Sequence, residues 1–289
     1  MSPSLAIRWG LVSGLVVAIP ASAASMVFPV ASTAQLVEAI RQANQSAEAD
    51  VITLERALYV LDQMEAPDQR AALPAITSPI VIRGNGAELR RYALDDFRIF
   101  HVAADGHLRL ERIVIAEGSQ GAIRNFGQTE LRRVQLVDNT ASSNLAIIEN
   151  YGEMRIDACE VSFNTIAGAT RDAGTIVNWG QLTLTATTFE ANVLSRRNAG
   201  AALASSVLNY GEATITDVVI AENIAGDYEL NGSPQAPFVN LGNGRIELQL
   251  VRERDNLPGE ALVSSSLAPS QPVHSQTWDG RRTVAWAKA

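Results

Sequence analysis

The sequence predicts an all-β chain, a single-stranded parallel β-helix solenoid of about eight coils, preceded by an amphipathic capping helix. Three observations predict it. First, Asn, one residue and Gly recur at Asn125-Phe126-Gly127, Asn150-Tyr151-Gly152, Asn178-Trp179-Gly180, Asn209-Tyr210-Gly211 and Asn240-Leu241-Gly242, 25 to 31 residues apart. Second, Asn139, Asn164, Asn192 and Asn223 each fall twelve residues after the Gly of their copy. Third, apolar residues repeat at a spacing of two within every copy, which is the period of a strand with one buried face. A unit of this length buries its apolar face only by stacking on copies of itself.

Each strand of the coil can be placed from the Gly. Two and four residues beyond it stand Leu108 and Leu110, Thr129 and Leu131, Met154 and Ile156, Leu182 and Leu184, and Ala213 and Ile215, with Gly106 anchoring the first copy. Seven and nine residues beyond it stand Ile113 and Ile115, Val134 and Leu136, Cys159 and Val161, Thr187 and Phe189, and Val218 and Ile220. Two residues before the Asn sit Ile123, Ile148, Ile176, Val207 and Phe238. This gives three short strands per repeat. The outward positions agree: Arg109, Glu130, Arg155, Thr183 and Thr214 form one row, and Glu111, Arg132, Asp157, Thr185 and Thr216 the next. Opposite charges and Thr pairs on neighbouring strands contribute roughly 0.2–1 kcal/mol each. The Asn residues suit tight bends and can bond to one another down the stack. Gly is expected to supply any positive φ.

The ends read differently. Residues 1–23 have the pattern of a secretory signal: Arg8, an apolar run from Leu11 to Ile19, Pro20, then Ala21-Ser22-Ala23 as a cleavage site. The expected destination is outside the cytoplasm: extracellular, cell-surface or periplasmic. Residues 24–50 read as the N-terminal cap, with Ser32 and Gln35 as a capping box and Leu36, Val37, Ile40 and Ala43 on one helical face. Residues 51–250 form the coil region, in which Val51–Leu54 and Ile80–Ile82 open the stack. Residues 251–289, with Pro258, Pro269 and Pro272, read as an irregular C-terminal tail.

Charge and composition exclude several functions. A net charge of −8 argues against nucleic acid and anionic membrane surfaces as partners. The signal's apolar run is too short to span a membrane, so no transmembrane span is expected. The lone Cys159 cannot form an internal disulfide, and its place in the inward row makes it a buried, inert thiol. No metal site or cofactor is expected. The outward acids alternate with arginines instead of clustering, and His101 and His107 lack ligand partners at metal spacing.

The segments Thr33-Ala34-Gln35-Leu36-Val37-Glu38-Ala39-Ile40 leading to Asp50-Val51-Ile52-Thr53-Leu54, then Leu73-Pro74-Ala75-Ile76, Ile82-Arg83-Gly84-Asn85-Gly86, Phe97-Arg98-Ile99-Phe100 and the Asn-x-Gly repeats resemble a known group. It comprises the bacterial secreted right-handed β-helix repeat proteins of the pectin-lyase-like superfamily, which include polymorphic outer-membrane and adhesin-like passengers. The resemblance spans about residues 30 to 245 and implies a right-handed coil and export. It leaves function open between surface binding, polysaccharide cleavage and an envelope structural role.

The residues favour binding over catalysis. Lys288 is the only lysine, so no lysine base stands on the coil. The superfamily's Asn-Thr-Asp and Gly-His-Gly hydrolase signatures are missing. Asp95-Asp96 is the only adjacent acidic pair, and a turn explains it. No catalytic residue is assigned. The candidate ligand-binding residues are instead Phe126, Tyr151, Trp179 and Tyr210, between the Asn and Gly of successive copies, where turn chemistry demands no aromatic. They would form an outward stripe, either stacked on itself or offered to a polysaccharide or a cell-surface protein. Insertions at Ala167 to Ala173, Ser195 to Ala204 and Asp227 to Pro237 bring Arg171, Asp172, Arg196, Arg197, Asp227 and Tyr228 onto loops.

Overall fold

The computed structural model describes residues 25–142, 145–197, 201–226, 237–254, 263–265, 275–278 and 281–284. The signal-like segment 1–23, the third insertion with Asp227 and Tyr228, and the tail prolines lie outside the described residues. The chain forms a parallel β-solenoid of about 7 turns, where length alone suggested about eight.

The three strands expected per turn are present on three faces. The first face stacks Gln128–Arg132, Glu153–Asp157 and Gln181–Thr185 in parallel register, with Met154 opposite Thr129 and Leu182. The second face stacks Gln135–Val137, Glu160–Ser162 and Thr188–Glu190. Longer strands such as His107–Ala116 and Glu212–Ala221 run round the bend between these faces and join them into one sheet. The third face stacks Phe100–Val102, Ile123–Asn125, Ile148–Asn150, Ala173–Asn178, Leu203–Asn209, Phe238–Asn240 and Val263–Ser265. A fourth, short run not read from the sequence follows the second Asn: Thr140–Ser142, Thr165–Ala169, Val193–Arg196 and Ile224–Gly226. Its strands carry too few apolar residues for an alternation to stand out. The inward rows are buried as placed, and Cys159 lies among them.

Both Asn rows are continuous hydrogen-bonded ladders. The Asn125 amide donates to Asn150 Oδ1 at 2.7 Å, Asn150 to Asn178 at 2.7 Å, Asn178 to Asn209 at 2.7 Å and Asn209 to Asn240 at 2.8 Å. The second row runs from Asn139 through Asn164 and Asn192 to Asn223 at 2.8–3.1 Å. All of these amides except Asn240 are buried. Each leaves water only because the next coil replaces its bonds, so the ladder is favourable only when stacked.

The bend geometry corrects the expected roles of Asn and Gly. Most left-handed non-glycine residues fall in two rows, Arg112, Arg133, Ala158, Ala186, Asp217 and Leu250 in one, and Glu117, Asp138, Phe163, Ala191 and Glu222, each just before the second-row position, in the other, with φ from 48° to 61°. None of the ladder Asn residues has a positive φ, and neither do Gly127, Gly152, Gly180 or Gly211; the expectation holds only at the ends, for Gly242 at 61° and for Asn85 and Gly86 at 52° and 84°. Those glycines are required by close approach: a Cβ on Gly152 would overlap the Gly127 carbonyl oxygen, and one on Gly180 the Gly152 carbonyl. Left-handed non-glycine residues cost on the order of 1–3 kcal/mol each and persist where neighbours over-determine them, as the ladders do here.

A helix spans Thr33–Ala43, its start capped by the Ser32 hydroxyl accepting from the Gln35 N–H at 3.3 Å. The Gln35 carboxamide oxygen accepts from the Ala31 N–H at 2.8 Å, one residue before the box position. Leu36, Val37, Ala39, Ile40 and Ala43 join the solenoid core. A strand the sequence did not reveal, Val27–Val30, precedes the helix and pairs in parallel with Asp50–Leu54. In the tail, Ser275–Trp278 and Arg281–Val284 pair antiparallel, so the described parts of it are strands and not irregular chain.

Candidate functional site

The residue between Asn and Gly projects from the edge of the third face, and its backbone N–H bonds to the coil before. Tyr151 N–H donates to Asn125 O at 2.8 Å, Trp179 to Asn150 O at 2.8 Å and Tyr210 to Asn178 O at 2.7 Å. The rings are thereby held at close to the strand spacing. Phe126, Tyr151, Trp179 and Tyr210 form one stack, with centroids 4.7, 4.4 and 5.8 Å apart and planes within 8°, 2° and 2° of parallel. His101 leans on the Phe126 end at 5.5 Å and 47°. The four candidate residues are therefore brought together, but their ring faces meet each other. Phe126, Tyr151 and Trp179 are partly exposed, and what they offer outward is ring edges.

Beside the stack, the outer side of the third face is covered. Its outward row runs His101, Arg124, Glu149, Val177, Leu208 and Val239, by the register of the strands. Val177, Leu208 and Val239 are buried in a second apolar cluster with Ala146 and Ala204, against which Ala202, Tyr210 and Leu241 pack. The insertions after Asn164 and Asn192 supply part of this cover. Asp172 accepts from the Tyr210 hydroxyl at 2.8 Å through one oxygen and from the Ala202 N–H at 2.7 Å through the other. Burial, then Asp172, pushes the Tyr210 hydroxyl well above the ordinary tyrosine range.

Glu149 is 2 % exposed, and its Oε2 accepts from Arg98 Nη1 at 2.8 Å and from Arg124 Nε at 2.6 Å. Arg98 is 1 % exposed, so this is a buried ion pair reaching across coils. Burial, then Arg124, lowers the Arg98 guanidinium from the usual arginine range, and Glu149 counters both. Burial, then Arg98 and Arg124, lowers the His101 imidazole below 6.5. Burial, then Glu149, raises the Tyr151 hydroxyl.

Glu149, Tyr151, Trp179 and Tyr210 line a cavity of about 520 Å³ with Val177 and the insertion residues Thr170, Arg171 and Asp172. Arg171 and Asp172 were visible in the sequence as insertion residues. Arg98, Arg124 and Glu149 were not singled out. The signal that marks them is the change from charged Arg124 and Glu149 to apolar Val177, Leu208 and Val239 along one outward row. A solvated face has no reason to make that change.

A wider groove of about 590 Å³ follows the bend between the first and second faces, lined by Arg112, Arg133, Gln135, Glu160, Thr188 and Glu190. Its charges are those of a solvated surface, and it has no aromatic wall. Asp95 and Asp96 sit in a bend gripped by Arg91, which bonds the Asp95 carbonyl and pairs with Asp96 at 3.7 Å. Among the described residues there is no group of three His, Cys, Asp or Glu side chains able to hold a metal, and no helix long and apolar enough to cross a membrane.

No protein family matches the sequence. No curated protein matches it either. Among solved structures, an alginate lyase from Paenibacillus is similar at 12% identity and a TM-score of 0.31, covering 83% of this chain and 98% of that one. PfbA, a surface adhesin of Streptococcus pneumoniae, is similar at 9% identity and a TM-score of 0.24, covering 88% and 96%.

Proposed function

We propose that this chain is an exported, non-catalytic β-solenoid that binds a polysaccharide, or a surface that displays one, in the cleft beside the aromatic stack. The observation that carries the reading is the lining of the 520 Å³ cavity, where the edges of Tyr151, Trp179 and Tyr210 meet Glu149, Arg171 and Asp172. Clefts with aromatic walls and a few directed polar groups are the usual form of a small-ligand site. Sugars, rich in hydroxyl oxygens, match such a lining of ring edges and polar groups.

Cleavage of a polysaccharide, by a lyase or a glycoside hydrolase, is the second reading, because Glu149 and Asp172 share the cavity. A hydrolase needs one carboxylic acid and one carboxylate free to act. Here both oxygens of Asp172 are engaged, and Glu149 Oε2 is held by two guanidiniums.

The test is a glycan array on the protein lacking residues 1–23, with unsaturated and reducing ends monitored in the same wells. Binding without product, reduced by Tyr151→Ala and Trp179→Ala, is the expected result. Product release would replace binding by cleavage, and no interaction with any glycan would remove the reading.

A further inference from the structure

Glu149 has one oxygen whose purpose the fold does not explain. Oε2 takes both guanidinium bonds, from Arg98 and Arg124. Oε1 has no hydrogen-bond partner among the described residues, although the residue is 2 % exposed and lines the cavity. Glu149 lines the cavity, so a donor on a ligand there can reach Oε1, and a carboxylate oxygen is a strong acceptor. The other acid in the cavity, Asp172, already accepts one hydrogen bond at each oxygen.

We infer that Glu149 Oε1 is the specificity-determining acceptor of the cavity, and that it selects a neutral sugar ring by a donated hydroxyl. This deepens the glycan-binding reading above and rests on it. Three groups could meet Oε1. A carboxylate brings no hydrogen and repels it. An ammonium brings hydrogens but enters a setting where Arg98, Arg124 and Arg171 outnumber Glu149 and Asp172. A hydroxyl brings a hydrogen without charge, and its own oxygen remains free to accept.

The rest of the lining complements such a ring. Tyr151 hydroxyl, Trp179 Nε1–H and the Arg171 guanidinium have no hydrogen-bond partner among the described residues, and all can donate to sugar oxygens. The ring edges carry the positive end of the aromatic quadrupole, so they too favour oxygen over another π face. Arg98 and Arg124 act as positioning residues. By holding Oε2 they fix the carboxylate plane and leave Oε1 turned to the ligand. Their role is orientation, not contact.

The test uses the unmodified protein and a panel of methyl hexosides, their monodeoxy analogues, the 2-amino-2-deoxy counterparts and the 6-carboxylate counterparts, read by calorimetry or saturation-transfer NMR. The expected result is that neutral hexosides bind best, and that one deoxy position lowers affinity about tenfold or more. Glu149→Gln replaces the acceptor by a donor in nearly the same shape. It should reduce that deoxy effect to about threefold or less, with the far-ultraviolet spectrum unchanged. If Glu149→Gln fails to fold, the deoxy series on the native chain still decides. Binding in which amino or carboxylate sugars equal the neutral ones, or in which no hydroxyl matters, would overturn the role of Glu149 and leave glycan binding standing. Failure of every member of the panel and of the glycan array would overturn both.

Discussion

The outer sides of the first and third faces are built on the same repeat and differ in almost every other respect. On the first face, charged and Thr rows point into solvent, and Glu130 pairs with Arg109 at 3.4 Å and Arg132 at 2.5 Å. Several of these pairs, such as Arg155 with Glu153 at 2.7 Å, run two residues along one strand instead of across the stack. On the third face an acid also takes two arginines, but Glu149 and Arg98 are withdrawn from water, and insertions and aromatic rings close over the row. The repeat supplies the scaffold on both sides. What separates a solvated face from a candidate site is the added chain after Asn164 and Asn192, which changes the dielectric around chemically similar groups.

This difference is sharpest in paired substitutions. Glu149→Ala strands the buried Arg98 and should destabilise by about 3–5 kcal/mol, whereas Arg98→Met with Glu149→Met together should cost little. Glu130→Ala, on the exposed side, should cost about 1 kcal/mol or less. Chemical denaturation of the three variants measures the gap, and equal losses for Glu149→Ala and Glu130→Ala would erase the contrast between the faces.

A second pair compares packing. Trp179→Ala removes stacking on both Tyr151 and Tyr210, worth about 0.5–1.5 kcal/mol per pair, while Thr183→Ala on the first face should change stability by under about 0.5 kcal/mol. The melting temperatures of the two variants test this. A loss for Thr183→Ala as large as that for Trp179→Ala would mean that the ring stack contributes no special cohesion.

Acid should act selectively on the covered face. The folded His101 pKa lies below 6.5, so the unfolded chain takes up this proton first as pH falls. The His101 contribution is complete above about pH 6.5 and declines as pH drops toward the lowered folded value. Removing the group by His101→Gln should lessen the fall in melting temperature between pH 7.5 and 5.5, by a change on the order of 1–3 °C. An identical acid profile in the variant would deny any role to the burial of His101.

The smallest signal is expected on the regular side of the coil. Burial pushes the Cys159 thiol up to about 11, so at pH 8 only about one thiol in a thousand is ionised. Native protein should resist maleimide and the unfolded chain should react, as mass spectrometry can follow. Rapid labelling of the native chain would show that the second face opens locally.

Much of this molecule was legible because solenoid repetition prints itself on the sequence. The alternation of Leu182 and Leu184 with Thr183 and Thr185 places strand faces, and the recurrence of Asn150, Asn178 and Asn209 locates the bends before any coordinates are known. Periodicity also put Phe126, Tyr151, Trp179 and Tyr210 in one row and Cys159 inside. Other features depend on contacts whose sequence separation follows no period. Gly152 is needed because of the carbonyl of Gly127 and not because of its own φ, a distinction that exists only once two coils touch. Arg98 meets Glu149 across 51 residues, and Asp172 meets Tyr210 across 38. Neither separation belongs to the repeat.

The sequence by itself determined the solenoid, its register, its inward rows and the aromatic row, because each depends on local alternation multiplied by stacking. Only the tertiary structure decided that the rings face one another and that one outward row is buried. It alone decided that a carboxylate is left with a single unpartnered oxygen at a cavity. Those outcomes depend on which insertion folds over which face and on the loss of water there, and no residue pattern within one coil encodes that.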